Sequence, residues 1–185
     1  LAAVAQASGT GGTLDASFGS GGVELGESLS DAWEHPYNRG DVAIDASGSA
    51  PRIVTVRAEQ DAADGTFAWS VARHLEDGTP DTSFDADGRV LLFGGVSAVT
   101  WPRALAVAPD GKILIAGDRS VAQRKRNGST TWITSGVVVR LDTDGSLDAS
   151  FGSGGVLDTG ARSAHALALE VSGSGYDVVV AAATL

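Results

Sequence analysis

The stretch "GSLDASFGSGGV", Gly145 to Val156, decides how this chain is read. A near-copy, "GTLDASFGSGGV", runs from Gly12 to Val23, and a looser one, "GTPDTSFDADGRV", from Gly78 to Val90. Their phenylalanines, Phe18, Phe84 and Phe151, are spaced 66 and 67 residues apart. Self-similarity at a fixed period marks a chain built from stacked supersecondary units, each packing on its neighbours.

The repetition extends on both sides of the phrase. Upstream lie "VARHLEDG" (Val71–Gly78) and "VVRLDTDG" (Val138–Gly145), which place Arg73 and Arg140 five residues before the glycine. Both alternate apolar and polar residues toward a turn, as a half-buried strand does. The segment before the first phrase, "AQASGTGG", lacks that arginine. Downstream, "RALAVAPDGKILIAG" (Arg103–Gly117) reads as two strands around a Pro-Asp-Gly reversal. "DVAIDASGSAPRIVTV" (Asp41–Val56) and "HALALEVSGSGYDVVVAAA" (His165–Ala183) keep the same two apolar runs around turns of other lengths. No stretch carries a helical 3.6-residue stripe.

Each repeat thus supplies four short strands, one after the phrase, two around the turn, and one ending at the arginine. That is an all-β chain of about three four-stranded antiparallel blades, the organisation of a β-propeller. The expected divisions are 1–77 (an amino-terminal strand plus the first blade), 78–144 (the second) and 145–185 (an incomplete third), all in one repeat domain. Three blades leave a ring open. The expectation is a partial propeller, completed by further blades of a longer chain or by self-association of copies. "DGKILIAG" followed by "VVRLDTDGSLDASFGSGGV" resembles the bacterial delta-60 repeat, a propeller-forming repeat of secreted and surface proteins. The resemblance spans nearly the whole chain, and the first repeat departs from it at "APRIVTV". It implies fold and location, and brings no catalytic residues with it.

Within the phrase, Asp15, Asp81 and Asp148 stand where a short side chain caps a turn, and the serine two residues on can do the same. The phenylalanine is expected to anchor the blade-to-blade connection, buried alike in all three copies. The phrase reads as architecture rather than as an active site.

The 13 basic and 23 acidic residues give a net charge of −10, which opposes binding to nucleic acid or to anionic membranes. No apolar run is long enough to cross a bilayer as a helix, so no membrane insertion is expected. With no cysteine there are no disulfides, thiolate metal sites or cysteine nucleophiles. The chain also contains no methionine, and Ala5-Gln6-Ala7 has the small-residue pattern that signal peptidase cuts after. Secretion or display on a bacterial surface is the expectation.

Several clusters invite chemistry. Asp142, Asp144 and Asp148, and separately Asp85 and Asp87, resemble parts of calcium loops, yet neither string completes the alternating acids that calcium requires. Hairpin turns account for them, and no cofactor is expected. His35, His74 and His165 show no zinc spacing, and Gly-x-Ser-x-Gly is absent. The tripeptide Arg39-Gly40-Asp41 enters a strand, a poor place for a displayed adhesion tip.

Two features remain as candidate binding residues. Arg124, Lys125 and Arg126 flank an Asn127-Gly128 turn and concentrate positive charge in an acidic chain. Trp33 and Trp101 fall in the loop before the second strand, where an exposed ring could stack on a ligand; Trp69 and Trp132 precede comparable strands, which predicts core packing. The functional expectation is a non-catalytic module for adhesion, scaffolding or glycan or protein binding. The alternative is a propeller hydrolase or lyase with a funnel site, which would need convergent polar groups where the repeats carry glycine, alanine and valine.

Overall fold

The computed structural model describes residues 3–5, 13–21, 23–25, 40–60, 67–94, 98–173 and 175–184. Twelve strands account for the regular structure among them: β1 (Ala3–Ala5), β2 (Val23–Leu25), β3 (Gly40–Asp45), β4 (Arg52–Gln60), β5 (Phe67–His74), β6 (Arg89–Leu92), β7 (Ala98–Val107), β8 (Ile113–Arg124), β9 (Thr130–Leu141), β10 (Val156–Asp158), β11 (Ser163–Ser172) and β12 (Gly175–Ala183). They form two complete antiparallel blades, β3-β4-β5-β6 and β7-β8-β9-β10, and two half-blades, β1-β2 and β11-β12. The fold is all-β and propeller-like, as the repeat implies.

The sheets are cut one strand later than the sequence grouping. The strand after each phrase pairs with the strand before that phrase, in β1-β2, β5-β6 and β9-β10. The phrase folds back on the strand it leaves. The Asp81 amide donates to the Arg73 carbonyl and the Arg73 amide to the Gly88 carbonyl, both at 2.9 Å. Arg140 makes the same two bonds, to Asp148 and Gly155. So the phrase closes a blade and does not open the next one.

The blades stack face to face. In β8, Ile113 and Ile115 join Val137 and Val139 of β9 against Val54, Val56, Trp69 and Val71 of the first blade. Leu114, Ala116 and Val138 face the other way, onto Leu167, Leu169, Val178 and Val180 of the β11-β12 hairpin. A blade buried on both faces needs continuous apolar strands, which is why "ILIA" and "VVV" show no alternation. Close approach is set by small residues. A Cβ at Gly117 would lie 2.6 Å from the Trp69 ring, so only glycine lets that ring lie on β8. Two carboxylates stitch neighbouring sheets through backbone amides: Asp41 accepts from Leu105 at 2.8 Å, and Asp118 from Ala164 at 3.3 Å. Asp41 of the adhesion-like tripeptide is therefore engaged between blades, and Arg39 lies outside the described residues.

The repeated phenylalanines lock consecutive repeats together. Phe84 packs beneath Gly145, where a Cβ would come within 3.2 Å of its ring, and Phe18 sits equivalently under Gly78. Both glycines have positive φ, +93° and +87°, a conformation that disfavours any side chain. Backbone bonds accompany each contact: the Asp85 amide to the Asp144 carbonyl at 2.9 Å, and the Gly19 amide to the Asp77 carbonyl at 2.8 Å. Phe18 and Phe84 are 1% and 0% exposed, whereas Phe151 is only partly buried. Equal burial of all three does not hold, because among the described residues no following turn covers Phe151.

Candidate functional site

The second and third phrases each carry an ion pair whose chemistry is spent inside the fold. In the first blade the Arg73 guanidinium, 1% exposed, donates from Nε to Asp81 (2.8 Å), from Nη1 to the Thr143 carbonyl (2.6 Å) and from Nη2 to Ser83 (3.0 Å). It also lies 4.8 Å from the Phe84 ring centroid. In the second blade Arg140 donates to Asp148 at 2.7 Å and lies 4.5 Å from Phe151, while Lys112 bridges Asp142 and Asp148 at 2.7 Å each. The second oxygen of each aspartate accepts from the amide and hydroxyl of the serine two residues on, Ser83 or Ser150.

These contacts set the protonation of the carboxylates. Burial raises the Asp81 carboxyl, but bonds from Ser83 and the Arg73 charge outweigh it and leave it below the ordinary aspartate value. Hydrogen bonds from Lys112, then from Ser150, hold Asp148 well below that value, and Asp142 and Asp148 raise Lys112 in turn. A carboxyl whose folded value is lowered contributes stability above its unfolded value and loses it as pH falls through the folded one. Thermal stability should therefore hold above about pH 5 and decline below about pH 4. Asp148→Asn should flatten part of that decline in a melting series from pH 7 to 2, and a wild-type melting temperature unchanged down to pH 2 would rule the account out.

Four of the five carboxylates considered for calcium turn toward protein donors: Asp142 to Lys112, Asp144 to Ser146, Asp87 to the Arg89 amide, and Asp148 as above. Among the described residues no three acidic or histidine side chains gather in a way that could hold a metal ion. His165 bonds Ser163 at 2.7 Å on the exposed β11 strand, His74 ends β5, and His35 lies outside the described residues.

The open surface with binding character lies along the outer part of β9. A groove of about 480 Å³ runs between Trp132–Ser135 and the β10-β11 connection, where Asp158, Gly160, Ala161 and Arg162 form the far wall. It exists because β10 is short. It pairs only with Val137–Val139, and one further turn is tied down by the Thr159 amide to the Gly136 carbonyl and the Gly136 amide to the Ala161 carbonyl, both 2.9 Å. Beyond that point the β9 edge is uncovered. Trp132 and Ile133 stand there 53% and 51% exposed.

The basic tip belongs to the same hairpin. Arg124 pairs with Thr130 and Ala122 with Trp132, so alternation along the strands puts Arg124 and Trp132 on one face, with Ser120 and Thr134 bonded at 2.7 Å below them. The tip is a regular turn: Lys125 and Ser129 share a backbone bond of 2.7 Å, and Asn127 accepts from the Ser129 amide and hydroxyl. Arg124, Lys125 and Arg126 are exposed, and among the described residues no carboxylate pairs with them.

The tryptophans divide differently from the sequence expectation. Trp69 is fully buried, as expected, but Trp132 is the exposed one because it sits on hairpin that outruns the blade. Trp101 lies within β7, partly buried, its ring 4.9 Å from Phe67. Trp33 lies outside the described residues. The expected basic tip and an unexpected tryptophan are thereby brought together.

The core of this arrangement, from the turn before β8 to the phenylalanine of the third phrase, carries a recognisable signature. Residues 108–151 match a beta-propeller family. It is described as a domain of unknown function (DUF5122) beta-propeller. The matched segment contains β8, the basic tip, β9 and the Asp148–Phe151 turn, and so includes half of the groove. No curated protein and no solved structure matches the chain.

Sequence reasoning missed the groove because Asp158 and Arg162 are distant in sequence from Trp132. One signal was available. The strands flanking the Asn-Gly turn carry polar residues (Arg119, Ser120, Gln123, Thr130, Thr131 and Thr134) at positions that a core strand would fill with apolar ones.

Proposed function

We propose that this chain is a non-catalytic propeller module of the delta-60 kind, secreted or displayed on a bacterial surface, that binds an acidic polysaccharide. The observation that carries the reading is Trp132, half exposed at the mouth of a polar groove and on one face with Arg124. An aromatic face open to water stacks on the apolar face of a sugar ring, and nearby hydroxyls and charges fix its orientation. Thr134, Ser135 and Arg162 supply those groups, and the exposed cations of the tip, which no described carboxylate pairs, favour a carboxylated or sulfated chain. Among the described lining residues Asp158 is the one carboxylate, and its Oδ1 accepts from the Gly160 amide at 2.8 Å. Glycoside hydrolysis uses a pair of carboxyl groups across the scissile bond. Binding is thus favoured over the hydrolase or lyase reading.

The test is a glycan array spanning neutral and acidic polysaccharides, run beside a hydrolase panel. Titration with retained acidic chains should change tryptophan fluorescence, Trp132→Ala should weaken binding at least tenfold, and reversal of Arg124, Lys125 and Arg126 to glutamate should remove its salt dependence. Neither variant touches the buried core, so the melting temperature should stay within about 2 °C. Equal binding by wild type and Trp132→Ala would refute the site, and turnover of a polysaccharide would refute the non-catalytic assignment.

A further inference from the structure

The outer half of β9 has a bare edge, and its hydrogen-bonding pattern follows from the residue where cover ends. Gly136 spends both backbone groups across that edge, its amide on the Ala161 carbonyl and its carbonyl on the Thr159 amide. In an antiparallel ladder every second residue points its groups to the same side. Thr134, Trp132 and Thr130 therefore each aim an N–H and a C=O at the groove, and among the described residues no backbone group answers them. The segment Thr130–Ser135, "TTWITS", contains no charge, no proline and no glycine, and four of its six residues are β-branched. Natural sheets guard bare edges with charges, prolines or bulges. This edge has none of them between the tip and Gly136.

The chain itself carries the complement. The three open residues are centred on Trp132, so a second β9 laid antiparallel about a two-fold axis there sets Trp132 opposite Trp132 and Thr130 opposite Thr134. Every open donor and acceptor on both copies is then met, and the axis cannot move inward because Gly136 is already bonded. On the other face Ile133, half exposed beside Val121 of its own hairpin, comes against Thr131 of the second copy. Charge agrees with this register. Among the described residues Arg124, Lys125 and Arg126 have no carboxylate partner, and the exposed Asp158 has no cation. Antiparallel pairing carries each basic tip to the β10-β11 connection of the other copy, where Asp158 stands.

From this we infer that the β9 edge pairs with the β9 edge of a second copy of this chain, joining β7-β8-β9 of each into one six-stranded sheet. The contact is isologous, the same patch serving on both sides. It stands on backbone register and charge and does not need the glycan reading. The two meet at Trp132, because the added strand fills the groove. A polysaccharide bound there and a second copy exclude each other, and by linkage a glycan that takes only the open edge shifts the protein toward single copies.

The absence of cysteine makes the register directly testable. Thr131 and Ile133 face each other across the inferred pairing as a non-hydrogen-bonded pair, whose Cα atoms lie about 4.5 Å apart, within reach of a disulfide. Thr131→Cys and Ile133→Cys should each stay unlinked when oxidised alone. Mixed, they should give a disulfide-linked product of twice the 18.6 kDa chain mass. Light scattering on the wild type at micromolar concentration should report the same doubled mass. Thr130→Pro removes an edge-facing amide at both ends of the pairing and spares the β8-β9 ladder, so it should return the protein to the single mass with its circular dichroism unchanged. All of this is read without glycan and is decided separately from the sugar reading. A folded wild-type monomer, equal linking by either cysteine variant alone, or a Thr130→Pro dimer would each overturn the inference.

Discussion

Phe84→Ala should lower the stability of the domain by about 3–5 kcal/mol, among the largest costs expected of any single truncation here. The ring is fully buried, lies under the Arg73 guanidinium, and fills the space that Gly145 leaves by lacking a side chain. Its loss opens a cavity between two phrases whose backbones are bonded to each other and cannot collapse inward. In a domain of this size the melting temperature should fall by roughly 6–20 °C. Phe151→Ala provides the internal comparison. The same residue in the same phrase is only partly buried, and its truncation should cost roughly half as much or less. Equal effects at Phe84 and Phe151 would mean that the covering turn contributes nothing.

Arg73→Ala should be of similar severity, about 3–5 kcal/mol, for an electrostatic reason. Removing the guanidinium strands the Asp81 carboxylate, itself 6% exposed, without its principal cation. It also leaves the Thr143 carbonyl and Ser83 without their donor. Arg73→Lys should recover little, since one ammonium cannot reach three partners set in a planar fork. Arg73→Leu combined with Asp81→Leu should recover more, because the uncompensated charge is removed with its partner. Arg73 touches Phe84, so a double-mutant cycle on the two should show a coupling of about 0.5 kcal/mol or more. Strict additivity would separate the guanidinium from the ring and undo the picture of a single lock. Denaturant titration followed by circular dichroism reads all of these variants.

What could be read in advance was the local chemistry. The phrase announces its turns because an aspartate and a serine two residues apart can satisfy the same backbone amides in any context, and all three copies do so. "PDGK" announces a reversal for the same reason, and the Gly111 amide returns to the Ala108 carbonyl there. The strand after each phrase could not be assigned to a sheet. "RVLL" and "VLD" are compatible with either neighbour, and the choice is made by bonds from Arg73 and Arg140 to Gly88 and Gly155. Burial of the three phenylalanines was illegible for a related reason. It is decided by the next repeat's turn, about 60 residues further along the chain. Trp132 was misread because its position in the repeat resembles that of Trp69, while the hairpin carrying it runs past the blade's packed portion.

The way each phrase waits for the turn of the following repeat also puts a clock on the chain during synthesis. Phe18 is covered by Gly78, and Phe84 by Gly145, 60 and 61 residues later. At about 5–20 residues per second, roughly 3–12 seconds separate the appearance of a phenylalanine from the appearance of the glycine that covers it. Through that interval the newest repeat holds an apolar ring open to the cytosol or to whatever chaperone guards the exit. Maturation is therefore vectorial, with the first two phrases each sealed by the repeat that follows.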